Sequence, residues 1–160
     1  MDLVYDNLYI SGIETIRQQK MVKDERITAI VRLDSGNYGT YEWSTHFFKV
    51  LNEPFLDGEY IPDGVIPRVT KFIHDEIENE GSVLIHCAMG ISRSTTLTMA
   101  YLIEYEGMSL AEAFCTIREE RTQATPHPKL LVSLIDHYNL PYNLMDPFSP
   151  NFLSRLMQDC

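Results

Sequence analysis

Cysteine is scarce in this 160-residue chain, with three copies at positions 87, 115 and 160. Their irregular spacing matches neither a disulfide framework nor a zinc site, and Cys115, within an amphipathic segment, reads as an ordinary core residue. A reducing cytoplasm is the default location, with the nucleus also open if the source is eukaryotic. Basic residues are outnumbered, 13 to 23, for a net charge of −10. Such a field disfavours nucleic acid and anionic membrane surfaces, so an anionic ligand must be held by local features. No run approaches 18 apolar residues, and "MDLVYDNLYISG" carries acids where a signal peptide has bases, so neither secretion nor membrane insertion is expected. Asp2 after Met1 and the position of Cys160 match no myristoylation or prenylation pattern. Repeats and low-complexity tracts are missing too. What remains is 44% hydrophobic and 22% charged, ordinary usage for one globular domain.

Three short β-branched or aromatic runs, "ITAIVRL" (27–33), "HFFKVLN" (46–52) and "SVLIH" (82–86), have the form of strands. Between the second and third, Val65, Val69, Phe72, Ile73 and Ile77 recur at helical spacing, with Gly81 as a stop. "RSTTLTMAYLIEYEG" is apolar on nearly every side, as a helix inside a domain would be. "SLAEAFCTIREER" opens with Ser109 and Glu112 in a capping box, and "HPKLLVSLIDHYNL" runs from Pro126 toward Pro141. The expected fold is α/β, a mostly parallel sheet of four or five strands with helices on both faces. The tail, 141–160, offers Phe148, Phe152, Leu153 and Leu156 for packing, and service as a docking segment is the lesser alternative.

The chemistry concentrates in "VLIHCAMGISRSTT", residues 83–96. A strand, a loop with one glycine and a helix starting near Arg93 gather backbone N–H groups and a helix amino terminus around one point, which attracts a phosphate-sized anion. Arg93 adds a fork of donors, and Gly90 tolerates the backbone angles that a tight loop requires. The same positive potential favours the thiolate of Cys87. An anion cup floored by a nucleophile suits phosphoryl transfer. A buried core cysteine is the bland alternative, but the thiol, glycine, arginine and serine each have a separate use here.

"HCAMGISRS" resembles the His-Cys-x5-Arg-Ser/Thr signature of the cysteine-based protein tyrosine phosphatases. "AYLIEYEGMSLAEAF" and "FKVLNEPFLDGEYIPDGVIPRVTKFI" extend the similarity to the small, single-domain dual-specificity subgroup over residues 1–140, leaving 141–160 as an extension. The resemblance implies a metal-independent, cofactor-free protein phosphatase acting on phosphotyrosine and on phosphoserine or phosphothreonine. Cys87 would form a cysteinyl-phosphate, Arg93 would bind phosphate and transition state, and Ser94 would steady the thiolate. Ala88, Met89, Gly90, Ile91, Ser92 and Arg93 would form the phosphate loop, with His86 organising it.

A departing oxygen needs a proton, and Glu53, Asp57, Glu59 and Asp63 are upstream candidates. The resemblance selects Asp57, 87 − 57 = 30 positions ahead of the cysteine. Asp63, beside Pro62, reads instead as a helix N-cap. The sequence departs from the family at "REERTQATPHPKLL", where Thr122 replaces a proline and His127 stands for an asparagine that braces the loop. His127 is either such a brace or a helix-capping histidine. Tyr38, Tyr41 and Trp43 could wall the cup or simply pack. The loop interior carries no second basic group, so the expected substrate is a singly phosphorylated protein or peptide, preferably one with basic flanks, met by a monomer. A phosphopeptide-binding module without turnover is the alternative, and a rhodanese-like or arsenate-reducing thiol enzyme fits the later helices poorly.

Overall fold

The computed structural model describes residues 1–36, 48–141 and 146–160. Tyr38, Tyr41 and Trp43 lie outside them. Five strands form one sheet: β1 (Asp2–Tyr5), β2 (Leu8–Ser11), β3 (Ala29–Arg32), β4 (Lys49–Asn52) and β5 (Val83–His86), in the order β1-β2-β5-β3-β4. The last four are parallel neighbours, and only β1 runs antiparallel, hairpinned to β2. Sequence reading found β3, β4 and β5 but missed this hairpin. Its turn, Asp6-Asn7, places Asp6 at φ 36°, a conformation that short polar side chains tolerate.

Successive side chains of a strand face opposite sides of a sheet. Ala29, Val31, Val83 and Ile85 therefore enter the main core, while Ile30 and Leu84 pack with Ile13, Ile16, Val22 and Ile27 on the reverse face. That reverse layer is supplied by two short helices, α1 (Ile13–Arg17) and α2 (Gln19–Asp24). Opposite stand α3 (Val65–Glu78), α4 (Arg93–Glu106), α5 (Leu110–Glu120) and α6 (Pro128–Tyr138). All four residues of β5 are buried, as a central parallel strand requires.

α4 is the interior helix: its first ten residues, Arg93 to Leu102, are all buried. It places a cation and hydroxyls inside the domain, at the carboxyl ends of β3, β4 and β5, where open α/β sheets bind ligands. α5 begins with the expected capping box: Ser109 Oγ accepts from Glu112 N at 3.1 Å and Ser109 N donates to Glu112 Oε2 at 2.8 Å. α3 does not begin as expected, because its N-cap is Gly64 at φ 82° and the exposed Asp63 caps nothing. The tail forms α7 (Phe152–Leu156) and a 3-10 turn, Met157–Asp159. α7 lies on α5 with Phe152 and Leu156 buried and Leu153 half-buried. Phe148, expected as an anchor, is 52% exposed. No helix among the described residues is long and apolar enough to cross a membrane.

Candidate active site

β5 ends at His86, the loop turns through 87–92, and α4 begins at Arg93. Four consecutive carbonyls of that loop are claimed from outside it. Ala88 O accepts from Ile13 N (2.9 Å), Met89 O from Arg121 Nη2 (3.2 Å), Gly90 O from Arg121 Nε (2.5 Å) and Ile91 O from Thr125 N (2.9 Å). In a planar trans peptide the next N–H points opposite to the carbonyl, and no peptide here is cis. The N–H groups of Met89, Gly90, Ile91 and Ser92 are thereby turned inward. Gly90 N–H donates to Cys87 Sγ at 3.2 Å.

Two glycines make that turn possible. Gly90 sits at φ 68°, and a Cβ there would fall 2.4 Å from the Ser11 carbonyl carbon. Gly12 lies so close under the loop that a Cβ would meet Ala88 O at 2.9 Å. Arg121, 5% exposed, completes the support by also pairing with Asp2 on β1. Sequence reading passed over Arg121, whose partners lie 31 to 119 positions away.

Cys87 is 3% exposed and Ser94 fully buried, with Ser94 Oγ 3.3 Å from Sγ. Arg93 is anchored through Nη1, which donates to Phe55 O at 2.7 Å and to Leu33 O at 3.0 Å. These carbonyls follow β4 and β3, so one guanidinium nitrogen gathers the ends of two strands. Its Nε is buried without a hydrogen-bond partner. A buried donor left open is costly unless a ligand fills it, and Arg93 lines the same cleft as Cys87.

His86 is fully buried behind the loop, its Nδ1 3.3 Å from Asp34 Oδ1, and Arg32 Nε lies 3.7 Å from the same oxygen. Burial pushes the imidazole down to about 4, with Arg32 and Arg93 acting in the same direction and the Asp34 carboxylate opposing them. The ring is therefore neutral at pH 7, a scaffold and not a proton carrier. Asp34, 2% exposed, is a second residue that sequence reading missed as part of this region.

Across the cleft stands Asp57, exposed, whose Oδ1 accepts from Ser92 Oγ (2.7 Å) and from Gly58 N (3.0 Å). Ser92 Oγ in turn accepts from His127 N at 3.0 Å. Of the two readings of His127, the imidazole takes the capping one: Nδ1 accepts from Lys129 N at 3.2 Å at the start of α6, and the contact with the loop's Ser92 runs through the backbone N–H, not through the ring. Asp57, Cys87, Arg93 and His127 share one cleft of about 390 Å³, whose far wall is Thr125, Pro126 and Pro128. Asp63 borders a different hollow with Tyr60, Pro62 and His137. The arrangement can hold a tetrahedral anion against a sulfur nucleophile, with a carboxyl group at the mouth.

The family model "Dual specificity phosphatase, catalytic domain" matches residues 8–140. Dual specificity protein phosphatase 14 of Homo sapiens is 33% identical over 135 residues, 84% of this chain and 67% of that protein. A probable rhodanese domain-containing dual specificity protein phosphatase of Dictyostelium discoideum is 31% identical over 138 residues, covering 85% of this chain but only 28% of the relative. Among solved structures, that of human DUSP28 superposes with a TM-score of 0.75 at 20% identity, covering 87% of this chain and 96% of that one, which establishes a shared fold.

Proposed function

The chain belongs to the dual-specificity phosphatase family of the cysteine-based protein tyrosine phosphatases, and from that premise we propose that residues 1–140 hydrolyse phosphotyrosine, and phosphoserine or phosphothreonine, through a cysteinyl-phosphate. The observation that carries the reading is the loop in which four carbonyls are bound from outside, so that the N–H groups turn inward and one of them, Gly90 N–H, reaches Cys87 Sγ.

A phosphate monoester enters with its equatorial oxygens on the loop N–H groups and on Arg93 Nε and Nη2. Such preorganised donors stabilise transferring phosphoryl charge at no reorganisation cost. Cys87 Sγ attacks phosphorus, the ester P–O bond breaks, and Asp57 passes its proton to the departing oxygen. Water then attacks phosphorus and gives its proton to Asp57, so that a P–O bond forms as the S–P bond breaks and phosphate leaves with the thiolate restored. Ser94, 3.3 Å from Sγ, donates to that thiolate as it departs. No step requires a metal or cofactor. Substrates are singly phosphorylated proteins or peptides, preferably with basic flanks given the net charge of −10, met by a monomeric, cytoplasmic enzyme.

The test is turnover of para-nitrophenyl phosphate with a chelator present, by the wild type and by Cys87→Ser. Chelator-resistant turnover that the substitution abolishes supports the reading. A wild type that binds phosphopeptide without turnover would leave only the binding-module alternative.

A further inference from the structure

Of the three cysteines, Cys87 is free and the other two meet. Cys115, half-buried on α5, is joined as a disulfide to Cys160, which lies just beyond the 3-10 turn after α7 and is exposed. Their Cα atoms are 6.2 Å apart across a sequence separation of 45 residues. This overturns the expectation that Cys115 is an ordinary core residue, and it is a pairing that the irregular spacing of the cysteines did not suggest. A separation of 6.2 Å lies within the Cα range that a disulfide needs.

We infer that Cys115 and Cys160 form a thiol-oxidation site, separate from Cys87, that fastens α7 to α5 and takes a peroxide or a low-molecular-weight disulfide as its co-reactant. With hydrogen peroxide, one thiolate attacks the O–O bond to give a sulfenic acid, releasing the other oxygen as water. The second thiolate then displaces the sulfenic oxygen as a second water, so the S–S bond forms as the S–O bond breaks, and two thiols are oxidised while one peroxide is reduced. With a small disulfide, two successive exchanges release two small thiols. Cys160 is solvent-exposed and can begin either route.

The clasp has something to hold. α7 is a five-residue helix with two buried anchors, Phe152 and Leu156, too short to persist on helical propensity. α5, the helix it grips, runs directly into Arg121, which holds the carbonyls of Met89 and Gly90. The oxidised tail thus braces the element that carries the loop's support. Because the pair consumes both other cysteines, an oxidised Cys87 has no partner within the chain and requires an external thiol for recovery.

The test does not use turnover, so its outcome is independent of the phosphatase reading. Full-length protein is equilibrated with oxidised or reduced glutathione, denatured in acid, and its thiols are counted. One thiol in the oxidised sample, three in the reduced one and a peptide map joining residues 115 and 160 are expected. The oxidised protein should melt roughly 5–15 °C higher. Cys160→Ser and, separately, Cys115→Ala should melt at one temperature in both buffers. Three thiols in the oxidised protein, a cross-link involving Cys87, or an undiminished redox response in both variants would overturn the proposal.

Discussion

The two walls of the cleft are built by opposite means. The Cys87 wall is buried, its carbonyls are held by Arg121 and Thr125 just after α5 and by Ile13 at the start of α1, and its arginine is tied to two strand ends. The Asp57 wall is exposed and is held by a serine hydroxyl and its neighbouring amide. Binding a charge requires donors that do not relax when the ligand arrives, whereas delivering a proton to leaving groups of different size benefits from a looser arm. Substitutions on the two walls should therefore fail differently.

The largest effect is expected at Asp57. Asp57→Asn should lower turnover of a phosphotyrosine peptide by roughly 10²–10⁴-fold, and that of a substrate with an acidic leaving group far less, in parallel steady-state assays. Equal losses for both would move the proton donor elsewhere. Gly90→Ala attacks the other wall. The left-handed φ and the clash with Ser11 should lower turnover of both substrates alike, by about 10²-fold, and depress the melting temperature as well. A discriminating loss there would erase the distinction between the walls.

Ser92 joins them, since its hydroxyl donates to Asp57 while accepting from His127. Ser92→Ala should cost about tenfold, selectively for the poor leaving group, with the affinity for inorganic phosphate little changed. The last effect leaves the rate comparison and falls on stability, through pH. Between pH 6.5 and about 4 the unfolded chain binds a proton on His86 that the buried ring refuses, so stability falls as pH falls through that window. The loss approaches about 3 kcal/mol at its lower end. Urea titrations at pH 7 and pH 4.5 should show it, and His86→Gln should lack that part of the slope.

The Cys87 wall was legible because its chemistry is local: nine consecutive residues contain nucleophile, loop glycine, arginine and serine. The capping box of α5 was legible for the same reason, as both partners lie within one turn. Contacts between distant segments left no such trace. The bonds of Arg93 to Leu33 and Phe55, of Arg121 to Asp2, and the pairing of Cys115 with Cys160 span 38 to 119 positions and exist only in the folded chain. Asp34 went unmarked because nothing near it in sequence shows that His86 ends the adjacent strand. Asp63 misled because an aspartate after proline suits an N-cap, yet Gly64 next to it took the left-handed turn.

The most direct test is to quench turnover of a phosphopeptide in acid within the first cycle and map the phosphate by mass spectrometry. The loop built around Cys87 should yield phosphate on the peptide containing residue 87 and none in Cys87→Ser; with a substrate of acidic leaving group, Asp57→Asn should raise that occupancy, because only hydrolysis of the intermediate is slowed. Turnover that proceeds with phosphate on another residue, or undiminished in Cys87→Ser, would contradict it.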